Sequence, residues 1–71
     1  MLSLSDLFVV ALSMKANAIA PHAICKRLLE LGHANGFPVI DEIRAEQGFG
    51  LIFRGAGRIE YDGTDWHCYK A

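Results

Sequence analysis

The sequence predicts a small α+β domain, with about three helices followed by a three-stranded antiparallel β-meander. Three observations carry that expectation. Residues 4–14 form a dense apolar run. Residues 20–32, A-P-H-A-I-C-K-R-L-L-E-L-G, place a proline at a first helical turn and a glycine after an apolar stripe. From Phe49 onward, apolar residues alternate with polar ones between glycine-rich turns. The 71 residues make a single domain, residues 1–71. Helices are expected at about 4–15, 21–32 and 38–47, and strands at about 49–54, 58–62 and 65–70.

Ser3, with Asp6 three positions later, is a variant of the capping box and opens the first helix. Its wheel is apolar almost all round: Leu4, Leu7, Phe8, Val9, Val10, Ala11, Leu12 and Met14 leave only a narrow polar strip of Asp6 and Ser13. Such a helix must be covered on more than one side. It is either the central core helix or an interface, and Leu4, Phe8, Val9 and Leu12 are the candidate contacts for a homodimer or another partner. In the second helix, Ile24, Leu28, Leu31, Cys25 and Leu29 share one half, while His22, Lys26, Arg27 and Glu30 share the other. Gly32 is the expected C′ residue. His33-Ala34-Asn35-Gly36 then turns the chain. Pro38 and Gly48 bracket a third helix, on which Val39, Ile40 and Ile43 cluster opposite Asp41, Glu42 and Glu46; on a strand, Asp41 would break the apolar face.

The last third reads as strands. A three-residue loop Gly55-Ala56-Gly57 would set Phe53 opposite Ile59, Leu51 opposite Tyr61, and Arg54 opposite Arg58. In the second turn, a two-residue loop would oppose Glu60 and Asp65, which repel. A four-residue loop instead opposes Tyr61 with Trp66, Ile59 with Cys68 and Glu60 with His67. Cross-strand pairs contribute roughly 0.2–1 kcal/mol each, which selects the second register. One face then shows Phe49, Leu51, Phe53, Ile59, Tyr61, Trp66 and Cys68; the other shows Ile52, Arg54, Arg58, Glu60, His67 and Tyr69.

Composition narrows function. A formal net charge of −1 does not indicate a strongly basic nucleic-acid binder, and 52% hydrophobic residues exclude a disordered chain. A domain this small buries only ~60% of the surface its unfolded chain exposes. The apolar excess therefore points to self-association or a partner. Two cysteines, Cys25 and Cys68, make no disulfide scaffold and are expected reduced, in a cytoplasmic context. The N-terminal run resembles a secretory leader superficially, but it has no early Lys or Arg, carries Asp6, and is interrupted by Ser13 and Lys15. No apolar run reaches the ~20 residues of a membrane span.

Helices followed by an antiparallel meander give a winged-helix-like topology. Pro21, Ile24, Lys26, Arg27, Leu28, Leu31 and Gly32 loosely resemble the recognition-helix region of winged-helix regulators. That resemblance implies weak nucleic-acid binding, with His22, Lys26 and Arg27 facing a groove and Arg54 and Arg58 holding a phosphate. Against it, residues 37–71 carry four cations (Arg44, Arg54, Arg58, Lys70) and six anions (Asp41, Glu42, Glu46, Glu60, Asp62, Asp65).

Neither a metal nor a catalytic constellation forms from the spacing. His22-x-x-Cys25 splits across two helix halves, and His67 and Cys68 alternate across a strand. Asp41 and Glu42 diverge on a helix, and no phosphate or dinucleotide loop is present. The expectation is a non-catalytic protein-interaction or regulatory module, cofactor-free and homodimeric through the first helix. Small inhibitors and antitoxin-like regulators of phage and mobile elements share this size and composition. A winged-helix transcriptional regulator is the alternative.

Overall fold

In the computed structural model, which describes all residues Met1–Ala71, two helices are followed by a four-stranded antiparallel sheet. Helix α1 spans Leu4–Ala16 and α2 spans Pro21–Ala34. Strands β1 (Val39–Arg44), β2 (Phe49–Phe53), β3 (Gly57–Tyr61) and β4 (Trp66–Lys70) pair in the order β1-β2-β3-β4. The α+β class holds, with two helices and four strands in place of three and three.

Local chemistry sets the helix ends. Ser3 accepts the Asp6 N–H at 3.3 Å, while the Asp6 carboxylate accepts the Ser3 N–H at 2.7 Å, so the capping box forms. Pro21 starts α2 as its first residue. Gly32 does not end it. The helix continues one half-turn to Ala34; Asn35 caps it, donating from Nδ2 to the Leu31 carbonyl at 2.7 Å, and Gly36 takes the left-handed turn at φ 85°.

Gly32 has a different task. It is buried inside α2, where an added Cβ would stand 2.9 Å from Cδ1 and Cε1 of Phe53 and 3.0 Å from the Phe37 carbonyl oxygen. The missing side chain lets α2 sit directly on the Phe53 ring. Phe37 completes the joint, edge-on to Phe53 with centroids 6.0 Å apart, and its N–H donates to the Gly32 carbonyl at 3.0 Å.

The segment 38–47 is not a helix. Val39–Arg44 is the edge strand β1, and the register slips between Val39 and Asp41. This β-bulge explains the misleading sequence pattern. Ile40 and Asp41 together oppose Ile52, so Val39 packs inward while Ile40, Asp41 and Ile43 lie on the outer face. An extra residue in a strand spaces the apolar positions as i, i+1 and i+4, which also suits a helix. With this helix replaced by a strand, the trihelical half of the winged-helix-like arrangement is absent.

The β2–β3 register also differs by two residues. Leu51 faces Ile59, Phe49 faces Tyr61 and Phe53 faces Gly57. Arg54 and Arg58 therefore do not oppose one another. Gly57, at φ 129°, explains the shift: it lies within the strand, so close to the Tyr69 carbonyl that a side chain has no room. The β3–β4 register is the expected one, with Tyr61 on Trp66, Ile59 on Cys68 and Glu60 on His67.

Both helices lie on one face of the sheet. The core joins Leu4, Leu7 and Ala11 of α1, Ile24 and Leu28 of α2, and Leu51, Phe53, Ile59 and Trp66 of the sheet. Trp66 meets Phe49 edge-on and Tyr61 at a tilt, at centroid distances of 5.6 and 5.0 Å. Its Nε1–H is buried without an acceptor, a penalty of roughly 1–3 kcal/mol. Removing a large aromatic ring from water contributes roughly 4–6 kcal/mol, which outweighs it.

The Gly32–Phe53 joint gives a direct test. Gly32→Ala gains about 1 kcal/mol of helix propensity. It forces an overpacked contact against a ring that is only 1% exposed, which costs about 1–3 kcal/mol. Thermal unfolding should show a lower Tm, by several degrees for a domain of this size. A raised Tm would mean that α2 does not sit on Phe53 as described.

Candidate functional site

The outer face of the sheet is covered by nothing. Strand alternation brings Ile40, Asp41 and Ile43 of β1, Ile52 of β2, Arg58 and Glu60 of β3, and His67 and Tyr69 of β4 to this face. Ile40 is 60% exposed, Ile43 47% and Tyr69 45%. Ile40, Ile52, Arg58, Tyr69 and Lys70 line a shallow depression of about 300 Å³. The Arg58 guanidinium lies 4.4 Å from the Tyr69 ring centroid, and its Nε pairs with Glu60 at 2.9 Å. Lys70 makes no ion pair. The depression is thus walled by apolar side chains with the Arg58–Glu60 pair beside it, while alternation along β4 turns the Lys70 side chain toward the helical face.

The cations expected to act together do not meet. His22, Lys26 and Arg27 are exposed on α2, on the helical side, and Arg27 lies 3.6 Å from Glu30. Arg58 is on the opposite, outer face, and Arg54 is at the β2–β3 turn, donating its N–H to the Pro38 carbonyl. One continuous phosphate-binding surface would need these groups on one side. Of the expected α1 contacts, Leu4 is inside the protein's own core and Phe8 packs against it; Val9 and Leu12 are exposed.

Sequence reasoning placed Ile52, Arg58 and Tyr69 together on one face. It missed Ile40 and Ile43, because a helix at 38–47 takes them elsewhere. The signal that could have found them is β-branching: three of the first five residues from Val39 are Val or Ile.

Both thiols are held protonated. Burial pushes the Cys25 thiol up, with the Glu42 carboxylate adding to the shift and Arg44 opposing it. Burial likewise raises Cys68. A nucleophilic or metal-ligating cysteine needs the reverse shift. No three His, Cys, Asp or Glu side chains converge on a common point. No helix is long and apolar enough to cross a membrane.

The densest polar cluster is the β3–β4 turn. Asp62 Oδ1 accepts the Thr64 and Asp65 N–H groups at 2.8 and 2.7 Å, and Oδ2 lies 2.8 Å from His67 Nε2. Lys15 of α1 reaches Asp65 at 2.9 Å, tying the helix end to this turn. Every member is engaged within the turn or with α1, which makes it a structural lock. Comparison with protein-family models, curated proteins and solved structures finds no match to this chain.

The turn makes stability depend on pH. The Asp65 N–H, the His67 ring and the Thr64 N–H hold the Asp62 carboxyl well below its usual range. A depressed folded pKa adds stability that is present above the unfolded value of about 3.9 and is lost as pH falls through the folded value. Asp62→Asn should therefore lower Tm at pH 7, and the gap from wild type should narrow steadily below pH 4. A gap independent of pH would show that the carboxylate charge contributes nothing.

Proposed function

We propose that this chain is a non-catalytic protein-interaction module whose open sheet face binds a segment of another protein. One observation carries the reading: an outer face on which Ile40, Ile43, Ile52 and Tyr69 surround Asp41 and Arg58, left uncovered by a fold that has helices on one side only. Exposed contiguous apolar surface marks interaction sites. Arg58 on this face, with Arg54 at the neighbouring turn, selects a segment that combines large apolar side chains with Asp or Glu. Arg58, already stacked on Tyr69, is preorganised for such a contact. The chain then acts by occupying its partner's surface, as a small inhibitor or adaptor does.

Selection from a random peptide display library tests this. The immobilised chain should enrich peptides that pair large apolar residues with acidic ones. A Tyr69→Ala, Ile52→Lys double variant that keeps its fold by circular dichroism should retain them at least about tenfold less, given the roughly 2 kcal/mol or more at a binding hot spot. Enrichment of basic peptides, or equal retention by the variant, would contradict it.

A further inference from the structure

Strand β1 forms one edge of the sheet, and the direction of its backbone groups can be assigned. The Ala45 N–H donates to the Gly48 carbonyl at 3.1 Å, toward β2. Alternation along an antiparallel ladder then turns Ile43 toward β2 and the N–H and C=O groups of Glu42 and Arg44 outward. In agreement, the Glu42 N–H is met by the carboxylate of its own neighbour, Asp41 Oδ1, at 2.9 Å. The edge therefore turns outward the backbone of Arg44 and the Glu42 carbonyl without partners, and a Glu42 N–H held only by the exposed Asp41 carboxylate, which a second strand can displace; exposed side chains run along its whole outer half.

Charge on an edge strand ordinarily keeps other strands away. Here the order of charges matters. Two copies of β1 can pair antiparallel about a two-fold axis only where residues of the same face meet. An axis at Glu42 sets Glu42 against Glu42 of the second copy. An axis at Arg44 sets Arg44 against Arg44, and Glu42 against Glu46. Both place like charges directly opposite, which is destabilising. An axis at Ile43 sets Glu42 of each copy against Arg44 of the other, twice, with Ile43 on Ile43 between them. Registers further along meet the bulge at Ile40–Asp41 or leave the strand.

That register also suits the backbone. Glu42 and Arg44, the two residues turned outward, become hydrogen-bonded pairs in which each exchanges both N–H···O bonds. Ile43 becomes the non-hydrogen-bonded pair, where side chains approach most closely. The opposite edge offers nothing comparable, because β4 carries Lys70 and His67 and no anion.

We infer that the chain forms a two-fold dimer through antiparallel pairing of β1, centred on Ile43 and selected by reciprocal Glu42–Arg44 pairs. The two sheets become one eight-stranded sheet, and the two apolar outer faces join across the seam at Ile43. The dimer stands apart from the peptide-binding reading: a chain that stays monomeric still carries its open face.

Sedimentation of the full chain tests it. Wild type should sediment at twice its 7.8 kDa mass in the micromolar range. Glu42→Arg and Arg44→Glu should each weaken the dimer by about tenfold or more, since both cross-strand pairs become like-charged. The double variant Glu42→Arg, Arg44→Glu should restore it. In a Cys25→Ser, Cys68→Ser background, Ile43→Cys should cross-link two copies under mild oxidation, because Cα atoms of a non-hydrogen-bonded pair lie ~4.5 Å apart, within disulfide range. Glu42→Cys, displaced from its own copy, should not. A 7.8 kDa monomer at high micromolar concentration, a dimer indifferent to the single reversals, or equal cross-linking at both positions would overturn the inference.

Discussion

The contact between the Phe53 ring and the bare Cα of Gly32 governs the rest of the molecule. It lets α2 settle onto β2 with no side chain between them, and it places the helix end where Phe37 can close over the same ring. From that point the chain has one short path: Gly36 turns it, Phe37 returns an N–H to Gly32, and Pro38 gives its carbonyl to Arg54. The residues that follow are thereby laid beside β2. A segment delivered alongside an existing strand gains a ladder of hydrogen bonds, and that gain exceeds the modest preference of 38–47 for a helix.

Two helices suffice to cover one face of four strands and no more. The inner face gathers Leu51, Phe53, Ile59 and Trp66 with the apolar stripe of each helix. The outer face and the β1 edge remain open, and both become possible only because β1 exists. The exposed large apolar side chains of the folded elements lie on two surfaces: Val9 and Leu12 on α1, and Ile40, Ile43 and Tyr69 on the sheet. The first helix contributes less than its wheel implies, since Leu4 and Phe8 turn inward.

Much of the fold was legible where a residue has one physical use. Ser3 and Asp6 announced a cap, Pro21 a helix start, and the repulsion of Glu60 and Asp65 selected the β3–β4 register that forms. Legibility failed where one residue type serves two ends. Gly32 suited a helix terminus and instead makes room for a ring. Gly57 suited a turn and instead lies within a strand beneath the Tyr69 carbonyl. Val39, Ile40 and Ile43 suited a helix stripe because a bulge imitates helical spacing. The site followed suit: its Ile52, Arg58 and Tyr69 portion came from simple alternation, while its Ile40 and Ile43 portion was hidden by the bulge.

Both the Ile40–Ile43 part of the open face and the edge chemistry require residues 39–44 to be a bulged edge strand on β2. Nuclear Overhauser contacts between backbone protons measure this directly. Close Hα–Hα contacts are expected for Glu42 with Leu51 and for Arg44 with Phe49, the non-hydrogen-bonded pairs of the β1–β2 ladder. Sequential amide–amide contacts running from Val39 to Glu46 without those cross-strand pairs would establish a helix there and contradict the edge strand.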